Sequence, residues 1–370
     1  MNEVLYNSPY YSGNQFTKLF DNMSESYKLF WFKAVLKHVK NNELQMKFDD
    51  LVIDMFASAW YMVTEYKLNL GPSDTLEKTI IYVSNKYKFN NNSKETELIK
   101  FFKETDDEVI TGAKNILINY VPYRIMSPLL EGVKDKDFST TNKAMKLINN
   151  NQSSIYYFNE DKGLKRRLLI NGKWFDYLRE NSEILNGWID YNLISYLQRR
   201  NPNVPGIINK LAPPEERKLE DVKKLYKEII YIKPFIDIYT NNELNINDIS
   251  IDHFIPWSYV SHDELWNLIP TSKNVNSSKS NNLPNWDKYF NKLVDFEYNV
   301  NSFIKYSNND NLLKMYEKCL NNNLNNNQIK QRLYIDKTNK KEFYEELNKI
   351  IFPSYVAARN MNFGIWEYKK

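Results

Sequence analysis

Residues 249–284 read ISIDHFIPWSYVSHDELWNLIPTSKNVNSSKSNNLP, and little else in the 370 residues suggests chemistry as specific. Residues 249–254 largely alternate apolar and polar, with Ile249, Ile251 and Phe254 against Ser250 and Asp252. That is the pattern of a short half-buried strand ending at Asp252 and His253. Pro256 cannot continue a hydrogen-bonded ladder, so the strand stops before it. A polar loop of Ser261, His262, Asp263 and Glu264 leads to residues 265–269, apolar except for Asn267, which predicts a second strand closed by Pro270. Thr271 or Ser272 then offers an N-cap for a helix carrying Asn276, with Lys279 further along. The local plan is strand, loop, strand, helix.

A hairpin and a helix folded on one another bring Asp252, His253, Asn267 and Asn276 together. Carboxylate and carboxamide oxygens suit a hard cation such as magnesium, which keeps its other positions for water and phosphate oxygens. An imidazole, whose ordinary pKa lies near neutrality, is suited to deprotonate a water attacking a phosphodiester. The cation would stabilise charge growing on the leaving oxygen. An Asp-His pair alone is more often a turn with a satisfied side chain; the joint pattern and its spacing carry the reading.

At these residues the sequence resembles the HNH endonucleases, whose ββα-metal fold follows the same order. Asp252-His253 is followed by Asn267 and, nine positions later, by Asn276. Asn where many members have His makes this the H-N-N variant, also found in the HNH domain of RNA-guided CRISPR nucleases. The resemblance implies His253 as general base, Asp252 and Asn276 as ligands of Mg2+ or Mn2+, and Asn267 as the brace of the loop carrying His253. It also puts Lys279 near the phosphates. Many members brace the unit with two cysteine pairs on zinc. This chain has one cysteine, Cys319, so no four-cysteine zinc site is expected and flanking helices must hold the hairpin.

A 42% hydrophobic content excludes a disordered chain, and a net charge of +4 is too small for a global field, so nucleic-acid contact must come from local clusters. Arg166 and Arg167 on an expected strand, and Arg199 and Arg200 at a helix end, are the candidates. Solvated charge and helix-dipole stabilisation are the plainer explanations of both pairs. The single cysteine, the absence of a signal-like start in MNEVLYNSPYYSGN and the lack of a membrane-length apolar run lead to the expectation of a soluble cytoplasmic protein.

The predicted fold class is α+β, mainly helical. Helices are expected over 24–42, 48–70, 74–87, 93–104, 107–120, 174–179, 184–200, 215–232, 286–306, 311–320 and 341–351. His38, late in the first, reads as a structural histidine at a helix end. A β-hairpin is expected near 154–170, turning at Gly163. Residues 1–201 form a helical domain and 202–370 an HNH domain with its ββα core at 249–284, closed by Phe363 and Trp366. The expected function is metal-dependent hydrolysis of DNA. The alternatives are a catalytically lapsed nucleic-acid-binding or scaffold subunit and an RNA-cleaving toxin domain. The stretches SYKLFWFKAVL, NLGPSD and RRNPNVPGI resemble stand-alone bacterial HNH proteins found near phage-defence genes, which implies restriction of foreign DNA and a partner such as a defence ATPase.

Overall fold

The computed structural model describes residues 16–21, 23–130, 133, 138–213, 219–336 and 339–369. The N-terminal stretch 1–15 and the first residues of the helix expected from 215 lie outside them. Two compact units divide the chain: Met1–Pro202 with Leu211–Pro213, and Asn203–Lys210 with Pro214–Lys370.

The first unit is built on helices α1 (Tyr27–Lys40), α2 (Phe48–Thr64), α3 (Thr75–Tyr87), α4 (Glu95–Glu104), α5 (Glu108–Arg124), α6 (Thr141–Asn149), α7 (Gly172–Glu180) and α8 (Ser182–Arg200). α2 is buried nearly all round, as its continuous apolar run requires, and Asp49 and Asp50 meet the positive end of its dipole. It stops at Thr64, short of the expected residue 70, and the backbone at Lys67 takes a positive φ of 52° that no helix continues. α3 starts on Asp74, whose carboxylate accepts from the N–H groups of Leu76 and Glu77 at 2.8 and 3.2 Å.

The hairpin expected near 154–170 belongs to a three-stranded antiparallel sheet of β1 (Gln45–Lys47), β2 (Tyr156–Phe158) and β3 (Arg167–Ile170), in the order β1-β3-β2. β1 had no sequence signal, because only Met46 of its three residues is buried.

In the second unit, β4 (Ile249–His253) pairs antiparallel with β5 (Leu268–Ser272), from Ile249 opposite Ser272 to His253 opposite Leu268. The second strand therefore starts three residues later than expected and runs through Pro270 rather than ending there; residues Leu265–Asn267 form a 3-10 turn. β5 has one strand neighbour only, the setting in which a proline without an N–H is tolerated. Ahead of the polar loop, Trp257–Val260 forms a helical turn. α9 (Glu220–Ile232), α10 (Lys273–Lys279), α11 (Trp286–Tyr306), α12 (Asp310–Asn322) and α13 (Lys340–Asn360) complete the unit, with a short parallel pair between β6 (Leu283–Pro284) and β7 (Ile365–Trp366).

Two helices expected to end at 120 and 351 run on through the prolines just beyond those ends. α5 continues past Pro122 and α13 past Pro353. In α13 the buried stripe Phe343, Leu347, Ile351, Tyr355 and Ala358 crosses the proline without a break. Burying that stripe offsets the roughly 3 kcal/mol that an interior proline costs.

His38 has the structural role expected of it: its ring nitrogens lie 2.9 Å from Glu43 Oε2 and 2.9 Å from Asp54 Oδ2. Burial opposes its charge, but the bonds to Asp54 and Glu43 outweigh burial and raise its pKa above 6.5. A raised histidine pKa adds stability that is fully present below about pH 6.5 and is lost as pH rises through the folded-state pKa. Chemical denaturation across that window should show wild-type stability falling with pH, and a flatter profile for His38→Gln.

Candidate active site

The end of β4 and the start of α10 form the site. Ser272 caps α10, its hydroxyl accepting from Val275 N at 3.3 Å, and this cap sets Asn276 and Lys279 one turn apart on the face toward β4.

Asp252 is 3% exposed, and both of its oxygens are engaged. Tyr239 Oη donates to Oδ2 at 2.6 Å and Lys279 Nζ to Oδ1 at 3.0 Å. Lys279 Nζ also donates to the His253 carbonyl at 2.7 Å, and its side chain is fully enclosed. This corrects the position near the phosphates expected for Lys279. Its ammonium ties α10 to the strand and is not presented to solvent. Burial pushes its pKa down, and the Asp252 carboxylate works against that shift.

Asn276 donates through its amide to Ser250 Oγ at 2.8 Å and to the Ile251 carbonyl at 3.0 Å, which leaves its carbonyl oxygen as the ligand atom it can offer. Each Asp252 oxygen keeps a lone pair beyond the one its hydrogen bond uses. Asp252 and Asn276 thus offer two oxygen donors of the kind a hard divalent cation takes. Among the described residues no group of three or more His, Cys, Asp or Glu side chains could hold a metal.

Asn267 is fully buried, and its side chain closes on a single residue, accepting from Ile255 N at 2.7 Å and donating to Ile255 O at 2.9 Å. With Phe254 N on the Asn267 carbonyl at 2.9 Å, this is the geometry of a brace for the chain just after His253.

His253 is 4% exposed, and its Nε2 lies 2.7 Å from Asp263 Oδ1. Asp263 read only as one polar loop residue among four, since nothing in sequence separates a carboxylate that orients an imidazole from one that faces water. Its neighbour His262 packs edge-on to Trp266 at 5.6 Å. Burial, with the His253 charge adding to it, pulls the His262 pKa down to about 4, so this ring is neutral at pH 7. Lys210 was also missed. It is fully buried, and its ammonium donates to the Tyr259 carbonyl at 2.9 Å and to Ser261 Oγ, pinning the loop that leads to Asp263.

The four arginines separate. Arg166 is 8% exposed, and its guanidinium donates to Tyr123 Oη at 2.6 Å and to the Asp161 carbonyl at 2.8 Å, which corrects its expected availability to phosphate. Arg167 is exposed, directly across the sheet from exposed Lys47. Arg200 caps the first unit from within, donating to the Ser24 carbonyl at 2.6 Å and packing over Tyr196, whereas Arg199 is exposed.

Residues 237–285 match the family model described as HNH endonuclease, a span running from the segment that supplies Tyr239 through Lys279. That segment is an HNH unit, of a class of nucleases that act on DNA and generally use divalent metal ions. No solved structure matches the chain. Among the described residues no helix is long and apolar enough to cross a membrane.

Removing Lys279 alone strands a buried carboxylate, and removing one partner of such a pair costs about 3–5 kcal/mol. Urea denaturation should therefore show Lys279→Met strongly destabilised, and Asp252→Asn/Lys279→Met should recover most of the loss. Additive losses would contradict the coupling.

Proposed function

We propose that the second unit is a metal-dependent endonuclease that hydrolyses phosphodiester bonds in DNA, with His253 as general base. The observation that carries this reading is the 2.7 Å contact with Asp263 made by Nε2 of His253, the residue next in the chain to the oxygen donor Asp252. An ionised carboxylate can only accept, so Nε2 carries its hydrogen and the basic lone pair belongs to Nδ1. Asp263 then holds the ring in one orientation and stabilises the imidazolium that forms when Nδ1 takes a proton from water. Asn267 keeps the backbone beyond His253 from shifting as the ring changes charge.

Asp252 and Asn276 would hold the divalent ion, which when bound supplies positive charge for the oxygen that leaves. Lys279 and Tyr239 act through Asp252, fixing its carboxylate, and are positioning residues. Exposed Arg167 with Lys47, and exposed Arg199, are the cations we assign to phosphate contact, which orients the duplex without reading its sequence. The likeness to bacterial defence proteins supports restriction of foreign DNA as the use of this activity, in the cytoplasm.

Purified protein should nick or linearise supercoiled plasmid with magnesium or manganese and stop in chelator. His253→Ala should lower the rate by about 10²–10⁴, the usual worth of a general base, with the fold intact by circular dichroism. Asp263→Asn, which removes the acceptor that sets the tautomer, should lower it at least about tenfold. Undiminished cleavage by His253→Ala would overturn the assignment.

A further inference from the structure

Asp263 turns its side chain to His253, and the residues on either side of it face elsewhere. His262, Glu264 and Trp266 line a cleft of about 670 Å³ whose other wall is the chain at 325–329, including Asn325 and Gln328. Three polar atoms in this wall are buried without a hydrogen-bond partner among the described residues: His262 Nδ1, Glu264 Oε2 and Trp266 Nε1. Glu264 is 8% exposed and Trp266 4%. Buried polar groups are nearly always paired, and leaving one unpaired costs about 1–3 kcal/mol, so three along one short segment point to a ligand that completes them.

The other oxygen of Glu264 is already used. Oε1 accepts from the Asn325 backbone at 3.1 Å and from its side-chain amide at 2.8 Å, so the two walls are fastened together and Oε2 is held in place. Beyond Asn327–Ile329 the chain enters a π-helical turn, Lys330–Ile335, an irregularity frequent at functional sites.

The chemistry of the wall selects the ligand. The Trp266 indole can only donate, Oε2 can only accept, the neutral His262 ring offers its nitrogen, and the amides of Asn325 and Gln328 can do both. The Glu264 carboxylate repels phosphate, so the sugar-phosphate chain does not enter. A flat heterocycle with an N–H beside a ring nitrogen or carbonyl meets these demands, and the cleft has room for it. Resting on the nuclease reading, we propose that this cleft takes one unstacked nucleobase of the substrate strand next to the cut phosphodiester. Glu264 and Trp266 then choose which base fits. A base held in a stacked, paired duplex cannot offer this edge, so the nucleotide beside the cut must leave the stack. Asp263, whose carboxylate meets His253, stands in the chain between His262 and Glu264 of the cleft, so one nucleotide spans both.

The test is isothermal titration of the full chain with dAMP, dCMP, dGMP and dTMP, and with 2-deoxyribose 5-phosphate as the base-free control. We expect at least one nucleotide to bind at least about fivefold tighter than the control and than the weakest nucleotide. Glu264→Gln and Trp266→Phe should each reduce that preference about fivefold or more, as removal of one buried partner does. Trp266→Phe deletes only the N–H donor and part of the ring, so it keeps the test valid if Glu264→Gln loosens the wall. Nucleotides that bind no better than the control, or an unchanged preference in both variants, would overturn the proposal. Base-selective binding by a protein that cuts no nucleic acid would leave the pocket standing and overturn the nuclease reading instead.

Discussion

The second unit depends on one buried ion pair. Lys279, enclosed at the end of α10, reaches across to Asp252 and to the carbonyl of His253, so a single ammonium joins the helix, the strand carboxylate and the backbone of His253. Taking two charges out of water is expensive, and such a pair adds little net stability compared with apolar residues in its place. Its value is geometric. With Tyr239 on the other oxygen, Asp252 has no freedom to turn, and its remaining lone pairs are aimed by its hydrogen bonds.

The rest of the unit serves that constraint. With a single cysteine in the sequence, the hairpin is held by packing and by bonds from outside it. Tyr226 of α9 donates to the Leu268 carbonyl at 2.9 Å, Trp366 of β7 to Ser278 Oγ at 3.1 Å, and Lys210 holds the loop beyond Tyr259. Cys319 is buried in this core, where burial pushes its thiol up to about 12, so it serves as packing rather than as a nucleophile.

The parts legible in sequence were those with a strong local cause. The alternation at 249–254, the capping serine at 272, the apolar run of α2 and the spacing from His253 to Asn267 to Asn276 each fix structure within a few residues. What escaped was set by distant partners. Pro270, Pro122 and Pro353 read as stops, yet an edge strand and two buried helix faces override them. β1 has too few buried residues to show a period. Lys279 and Arg166 read as cations for phosphate, because sequence gives charge and not depth; both are enclosed and bound to protein oxygens. Asp263 looked like its polar neighbours, and only the fold brings it to His253.

The account turns on which nitrogen of His253 is basic, and nitrogen-15 NMR of selectively labelled histidine reads this directly in the metal-free protein at mildly alkaline pH. The account predicts a protonated, pyrrole-like Nε2 coupled to its hydrogen and a pyridine-like Nδ1, with Asp263→Asn altering that pattern. A neutral His253 ring that carries its hydrogen on Nδ1 would contradict it.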